Sequence, residues 1–370
     1  MTDLPAFAPI PEVLPSTVPF VGPEQIERES GKKFKARLGA NELTLPPSDF
    51  VRAACARIAK DEPALYPDPV SYELREKLSE HTGYATDRIL VGEGIDALLG
   101  WVARLFLAPG DCAVTSRGAY PTFNYHVAGA GAHLEMVPYK NDAEDPAALA
   151  AMTREMKAKL VYFCNPDNPM GSWHDANTVM SFVDSIPETC LVLLDEAYAE
   201  FAPKGIVPPD TFERPNLIRL RTFSKAYGLA GMRIGYALAS QRIIKGFDKI
   251  RNHFGVARIA QAAAQAALED QAHVAQTVET IAKGRARLGT IAETNGLTPL
   301  RSATNFVTMD CGKDGAFAKR VLDEVVARQV FIRMPGPDGL NRCIRVSVGC
   351  DDELDLFEQV LPEALAAARK

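Results

Sequence analysis

The chain has 370 residues, of which 47% are hydrophobic and 24% charged, and a formal net charge of −6 at pH 7. That length has room for one large domain and a smaller one around an ample core, and the acidic balance argues against nucleic-acid or anionic-membrane partners. Seven cysteines, an odd number without a C-x-x-C pair, and six scattered histidines point to reduced thiols in a cytosolic protein rather than to a disulfide framework or a metal site.

The chain opens Met-Thr-Asp, with no basic n-region of a signal peptide. Prolines at 5, 9, 11, 15, 19 and 23 then predict an extended segment that cannot form a helix. Residues 1–32 read as a disordered tail or, given Phe7, Ile10, Val13, Leu14 and Phe20 among the prolines, as an arm lying across a partner subunit. A large domain is expected at 33–257 and a small one at 258–370.

From about residue 75 to 240, helical patterns alternate with short apolar runs. Strands are predicted at Ile89–Val91, Cys112–Ser116, His133–Val137, Leu160–Cys164, Leu191–Leu194, Leu217–Arg221 and Ile234–Ala239. Between them lie helical spacings such as Ile95, Leu98, Leu99, Val102, Leu105 and Phe106. The apolar stretch Ile95 to Ala108 is too short to cross a membrane and carries Asp96 and Arg104. The pattern is that of an α/β fold with a mostly parallel, seven-stranded sheet covered on both faces. Only a turn fits between the runs at 217 and 234, so one strand is expected to be antiparallel. Beyond Phe254, an alanine-rich helix is predicted from Arg258 to about Leu288. Strand candidates at Asn305–Met309, Val330–Arg333 and Cys343–Val348 and a C-terminal helix follow, an α+β layout.

The motifs fall at the ends of these strands. Gly92-Glu93-Gly94-Ile95-Asp96-Ala97 opens a helix after a strand, and bare N–H groups there suit a phosphate. The same run satisfies the dinucleotide fingerprint G-x-G-x-x-A, but the following acid, Asp111, precedes the next strand instead of ending it, which argues against NAD. Tyr120 and Phe123 lie in a loop after a strand, where an aromatic either stacks on a planar ligand or simply packs. Asn165-Pro166-Asp167-Asn168-Pro169-Met170-Gly171 is dense turn chemistry, and it can also place the Asn168 amide at a strand's carboxyl end. Leu191 to Leu194 deliver Asp195 to that same edge, where ligands of open α/β sheets bind. Asp195 is either a helix cap or a buried carboxylate in want of a cation.

The most informative run is Thr222-Phe223-Ser224-Lys225-Ala226-Tyr227-Gly228-Leu229-Ala230-Gly231-Met232-Arg233. Taken alone, Lys225 reads equally as a surface lysine at a turn. Desolvated after a buried strand, its amine is pulled below the free value of roughly 10.4 and becomes an imine-forming nucleophile. Thr222, Ser224 and Arg233 beside it suit a phosphate monoester. An aldehyde carrying a phosphate is pyridoxal 5'-phosphate (PLP), and Asp195 suits its protonated pyridine nitrogen.

Together these residues resemble the fold-type I, PLP-dependent aminotransferases, and within them the histidinol-phosphate aminotransferase branch, from about residue 35 to the C-terminus. The run S-K-x-x-G-L-x-G-x-R from Ser224 to Arg233 is the most specific element. The resemblance implies a large PLP-binding domain and a smaller C-terminal one. It implies that Lys225 forms the Schiff base, that Asp195 pairs the pyridine nitrogen, and that Asn168 and Tyr198 bind the phenolic oxygen. Tyr120 would stack on the ring, with Gly94, Ile95, Asp96, Thr222, Ser224 and Arg233 around the phosphate. Tyr66 matches a tyrosine reaching the phosphate from the neighbouring subunit, which implies a homodimer. Arg345, with Arg333 as a second choice, matches an arginine holding the substrate's anionic group, and Asn41 and Asn305 match small-domain residues near the substrate. The implied reaction moves an amino group from histidinol phosphate or an amino acid to a 2-oxo acid such as 2-oxoglutarate. Aromatic amino acid transamination, and decarboxylation of the threonine-phosphate decarboxylase kind, are the alternatives. Three departures stand out: Asn41-Glu42-Leu43-Thr44-Leu45-Pro46-Pro47-Ser48 in place of N-E-N-P-x-G-P-S, Ile95 in place of a small residue, and a partial aromatic entry at Pro19-Phe20-Val21-Gly22-Pro23.

Overall fold

The computed structural model describes residues 5–16 and 21–370; Pro19 and Phe20 of the expected aromatic entry lie outside them. Two helices, α1 (Pro9–Val13) and α2 (Pro23–Ser30), stand in the segment expected to be wholly extended. Both begin on proline, and this corrects the expectation: at a helix's first position the missing N–H removes no hydrogen bond and the fixed φ already suits the helix. Ile10 of α1 packs so closely on Gly131 that a Cβ there would stand 2.6 Å from its Cδ1.

Strand β1 (Ala36–Arg37) follows, then α3 (Asp49–Asp61), α4 (Tyr72–Thr82), β2 (Ile89–Gly92) and α5 (Gly94–Phe106). The alternation continues through β3 (Cys112–Ser116), α6 (Pro121–Gly129), β4 (His133–Val137), α7 (Pro146–Glu155), β5 (Leu160–Cys164) and α8 (Ala176–Ser185). It ends with β6 (Leu191–Asp195), β7 (Leu217–Thr222), β8 (Gly235–Ala239) and α9 (Gln241–Phe247). The seven long strands form one sheet in the order β2-β8-β7-β6-β5-β3-β4, in which β8 alone runs antiparallel, against β2 and β7. That is the strand for which the sequence leaves room only for a turn.

The alanine-rich stretch is two helices, α10 (Arg258–Glu269) and α11 (Gln271–Thr294), and not the single helix expected. Asp270 makes the break: its carboxylate accepts the His273 N–H and caps α11, the local bond that makes aspartate a better cap than interior residue. Strands β9 (Thr298–Pro299), β10 (Phe306–Asp310) and β12 (Cys343–Ser347) form an antiparallel sheet, while β11 (Val330–Phe331) pairs in parallel with β1. Helices α12 (Gly315–Ala327) and α13 (Asp351–Ala368) pack on each other. Among the described residues no helix is long and apolar enough to cross a membrane.

Strand alternation sorts the central sheet into two apolar faces. Tyr162, Leu193, Ile218 and Leu220 pack toward α5, and Val161, Phe163, Val192 and Leu194 toward α7 and α8. Asp195 and Glu196, adjacent in sequence, consequently leave β6 on opposite sides. Glu196 is fully buried and is gripped by two arginines of β7. Arg219 donates Nε to Oε2 (3.0 Å) and Nη2 to Oε1 (2.7 Å), and Arg221 donates Nε to Oε2 (2.9 Å). Asp210 closes the cluster on Arg221 (2.6 Å). Removing one partner of such a buried set strands the others, at a cost of roughly 3–5 kcal/mol. Glu196→Ala is therefore expected to lower the stability measured by urea unfolding by that much; a midpoint equal to that of the unaltered protein would show that Asp210 alone satisfies both guanidinium groups.

Candidate active site

The predicted residues gather at the carboxyl ends of β5, β6 and β7, closed from the other side by residues 39–42 and by β10 and β12. Thr222 ends β7, and its hydroxyl donates to Ser224 Oγ (2.9 Å) while accepting the Ser224 N–H (3.0 Å). Lys225, half-buried, directly follows Ser224. Its Nζ donates to the Asn41 carbonyl (3.1 Å) and lies 5.6 Å from the centre of the Tyr198 ring. Burial lowers its pKa to about 8; Arg345 and Arg233 push in the same direction, and Glu42 and Asp96 oppose them.

Asp195 is 3% exposed and its partners are neutral: the Tyr162 O–H donates to Oδ2 (2.6 Å) and the Ala197 N–H to Oδ1 (2.9 Å). Burial raises its pKa to about 6 against the pull of those donors. A buried carboxylate held by neutral groups is a ready site for a cation.

An anion cradle lies at the start of α5. Gly94 has φ +81°, and a Cβ there would stand 2.7 Å from Arg233 Nη2, so glycine is what lets the guanidinium reach the helix N-terminus. Arg233 pairs with Asp96 (3.3 Å), which also accepts the Tyr120 O–H (2.8 Å). Ile95 turns its side chain into the core, which leaves its backbone N–H, one of the unpaired donors of the helix start, as the group that can serve a ligand. Hydroxyls, a guanidinium and helix-start N–H groups together are a donor set that could hold a phosphate.

Asn41, at φ +56°, is the hub. Its carbonyl accepts Lys225 Nζ and Asn305 Nδ2 (3.0 Å), and its own Nδ2 donates to the Tyr198 phenol oxygen (2.9 Å). Burial holds the Tyr198 proton on, well above the usual phenol range. From β12, Arg345 donates Nη1 to Asn168 Oδ1 and Nη2 to the Gly39 carbonyl (3.3 Å). Burial lowers the Arg345 pKa to about 10; the Tyr198 phenol opposes this and the neighbouring Arg333 charge adds to it. Two buried atoms of this cluster are without a partner among the described residues, the donor Arg345 Nε and the acceptor Asn305 Oδ1. Arg333 is paired by backbone to Arg345 across a β-bridge and donates Nη2 to the Val21 carbonyl (2.7 Å).

Tyr66 alone among the predicted residues stays outside this cluster. It is 79% exposed, with its ring 5.2 Å from that of Phe254. Sequence reasoning passed over Tyr162, whose place in an apolar strand carries no polar signal, and Ser347 of β12, which hydrogen-bonds Asn41. It also passed over two buried carboxylates behind the Asn168 turn. Asp167 accepts the Tyr139 O–H (2.8 Å) and is raised by burial to about 7; Glu144 accepts the Ser116 O–H (2.6 Å) and is raised too. The turn residues masked the first, and only the fold brings the second near.

The family model for aminotransferases of class I and II matches residues 34–356, and the chain belongs to that family. It is 33% identical to histidinol-phosphate aminotransferase 1 of Bacillus cereus over 94% of this chain and 93% of that protein. It is 34% identical to the histidinol-phosphate aminotransferase of Moorella thermoacetica, over 93% and 89% respectively. Among solved structures, histidinol-phosphate aminotransferase from Sinorhizobium meliloti in complex with PLP is 49% identical, covers 99% of both chains and superposes with a TM-score of 0.95. A Thermus thermophilus aspartate aminotransferase, 21% identical with a TM-score of 0.78, shares the fold.

The Lys225 amine of cofactor-free protein is expected to titrate near pH 8, becoming nucleophilic as pH rises through that value. The pH dependence of its acylation measures this. Arg345→Gln removes a like charge and moves the midpoint upward; a midpoint at the ordinary lysine value in the unaltered protein would contradict the burial argument.

Proposed function

We propose that this aminotransferase moves the amino group of histidinol phosphate to 2-oxoglutarate with PLP as its cofactor. The observation that carries the reading is the 49% identity, over 99% of the chain, to the PLP-bound Sinorhizobium meliloti histidinol-phosphate aminotransferase. The donor set fits the cofactor: a phosphate cradle at Gly94 and Arg233, an amine made nucleophilic by burial, and a carboxylate lacking a cation. Bound there, PLP supplies an aldehyde for amines and a ring that accepts electrons from the substrate's α-carbon.

The chain's own residues do the rest. Lys225 would hold the aldehyde carbon through its amine, with loss of water, and as a free amine would move the proton at the substrate's α-carbon. Asp195, once ionised, would pair with the pyridine nitrogen and favour its protonated form. Thr222, Ser224, Arg233 and the N–H groups of Gly94 and Ile95 would hold the phosphate, with Asp96 fixing the guanidinium, and Tyr120 would stack on the ring. Asn168 has its carbonyl oxygen engaged by Arg345, which leaves its NH2 to donate to the phenolic oxygen beside Tyr198.

Arg345 binds the substrate's anionic group, and its Nε, without a partner among the described residues, supports that role. Arg333 next to it adds a second positive charge, and a doubly charged phosphate offsets two guanidinium groups better than a carboxylate does. Asn41 and Asn305 line the same side. The assembly proposed is a homodimer in which Tyr66 completes the neighbour's phosphate site, a reading supported by its exposed ring. A cytosolic location belongs to the same proposal.

Histidinol phosphate is expected to bleach the visible band of the PLP-loaded protein and 2-oxoglutarate to restore it, while glutamate drives the reverse half-reaction. Phenylalanine or tyrosine bleaching the band faster than histidinol phosphate would replace that substrate. Band shifts with release of carbon dioxide would replace transamination by decarboxylation. Shared sites predict complementation: Tyr66→Ala and Lys225→Ala proteins, each impaired, regain about a quarter of full activity when unfolded and refolded as an equal mixture, from mixed dimers with one intact site. No gain on mixing would place Tyr66 in its own subunit's site.

A further inference from the structure

Ser347 belongs to β12, two residues beyond Arg345, and is 2% exposed. Its backbone N–H donates to the Leu38 carbonyl (2.8 Å), so the strand holds the segment leading to Asn41. Its hydroxyl makes two bonds, both to Asn41: it accepts the Asn41 backbone N–H (3.1 Å) and donates to Asn41 Oδ1 (3.0 Å). Among the described residues Ser347 Oγ has no other partner, so its single proton goes to Oδ1.

That choice propagates. With Oδ1 turned to the serine, the Asn41 NH2 faces Tyr198 and donates to its phenol oxygen (2.9 Å). A phenol oxygen receiving a donor keeps its own proton for a third group. We infer that Ser347 is a positioning residue that sets the direction of a hydrogen-bond chain, Ser347 to Asn41 to Tyr198, so that Tyr198 presents its O–H, and not a lone pair, to the phenolic oxygen of the cofactor. This rests on the assignment of PLP to the site. Reversing the Asn41 amide would make Tyr198 donate to Asn41 Oδ1 and turn an acceptor toward the phenolic oxygen, an unfavourable contact between two electron-rich atoms.

A donor on the phenolic oxygen stabilises its anionic form and lowers the pH at which the chromophore loses its proton. The test is the pH titration of the visible band of PLP-loaded protein, with the dissociation constant of PLP measured alongside, for the unaltered chain, Ser347→Ala and Asn41→Asp. Ser347→Ala only removes an atom, so the fold is kept while the amide is freed. Asn41→Asp is isosteric and gives Tyr198 an acceptor in place of a donor. Both are expected to raise the titration midpoint by about one pH unit and weaken PLP binding about tenfold, the size of one charge-assisted hydrogen bond. Ser347→Thr, which keeps the hydroxyl, is expected to retain the original midpoint. Midpoints within a few tenths of a unit of the unaltered protein in both Ser347→Ala and Asn41→Asp overturn the inference and leave the PLP assignment standing. A protein that shows no visible band with PLP overturns both.

Discussion

Burial of charge at the carboxyl edge of a parallel sheet is the constraint on which this molecule turns. β6 runs into two consecutive carboxylates, and strand geometry sends them to opposite faces. On one face Glu196 meets Arg219 and Arg221 and is neutralised within the chain. On the other, the Asp195 carboxylate meets, among the described residues, a tyrosine hydroxyl and a backbone N–H. The first arrangement is complete and can only hold the sheet together. The second lacks a countercharge, and the cradle beside it, where Arg233 meets the start of α5, suits a negative group. The candidate site is built by withholding partners from groups that the core has already buried.

Shared partners govern the side of the site formed by β10 and β12. The segment from Leu38 to Asn41 is tied to β12 by the Ser347 N–H, the Arg345 guanidinium and the Ser347 hydroxyl. Asn41, in the left-handed region, then commits its carbonyl to Lys225 and Asn305 and its amide to Tyr198 and Ser347. One residue thereby joins Lys225, Tyr198 and β12. Any movement of β12 relative to the large sheet is felt through these bonds, because the same side chain is anchored on both.

Much of the candidate site was legible because its signals are local. The run from Thr222 to Arg233 specifies a strand end, a lysine and a glycine-rich turn within twelve residues, and Gly92 to Ala97 specifies a helix start. Apolar runs separated by helical spacing likewise announce a parallel sheet, and a short connection announces its antiparallel strand. Where local signals were misread, a single residue's dual use was responsible. Proline at the first position of α1 and α2 is a helix starter although it is a breaker elsewhere, and Asp270 interrupts an alanine-rich stretch by capping α11.

Composition and pattern determined the α/β class, the order of the elements and the residue types at strand ends, because side-chain period and turn chemistry act within a few residues of each other. The tertiary structure alone decided the partnerships: Tyr162 with Asp195, Arg345 with Asn168, Asn41 with Lys225, Tyr198 and Ser347. Asn41 and Ser347 stand 306 positions apart in the chain. A hydrogen bond depends on distance and angle in space, and no sequence period carries that information.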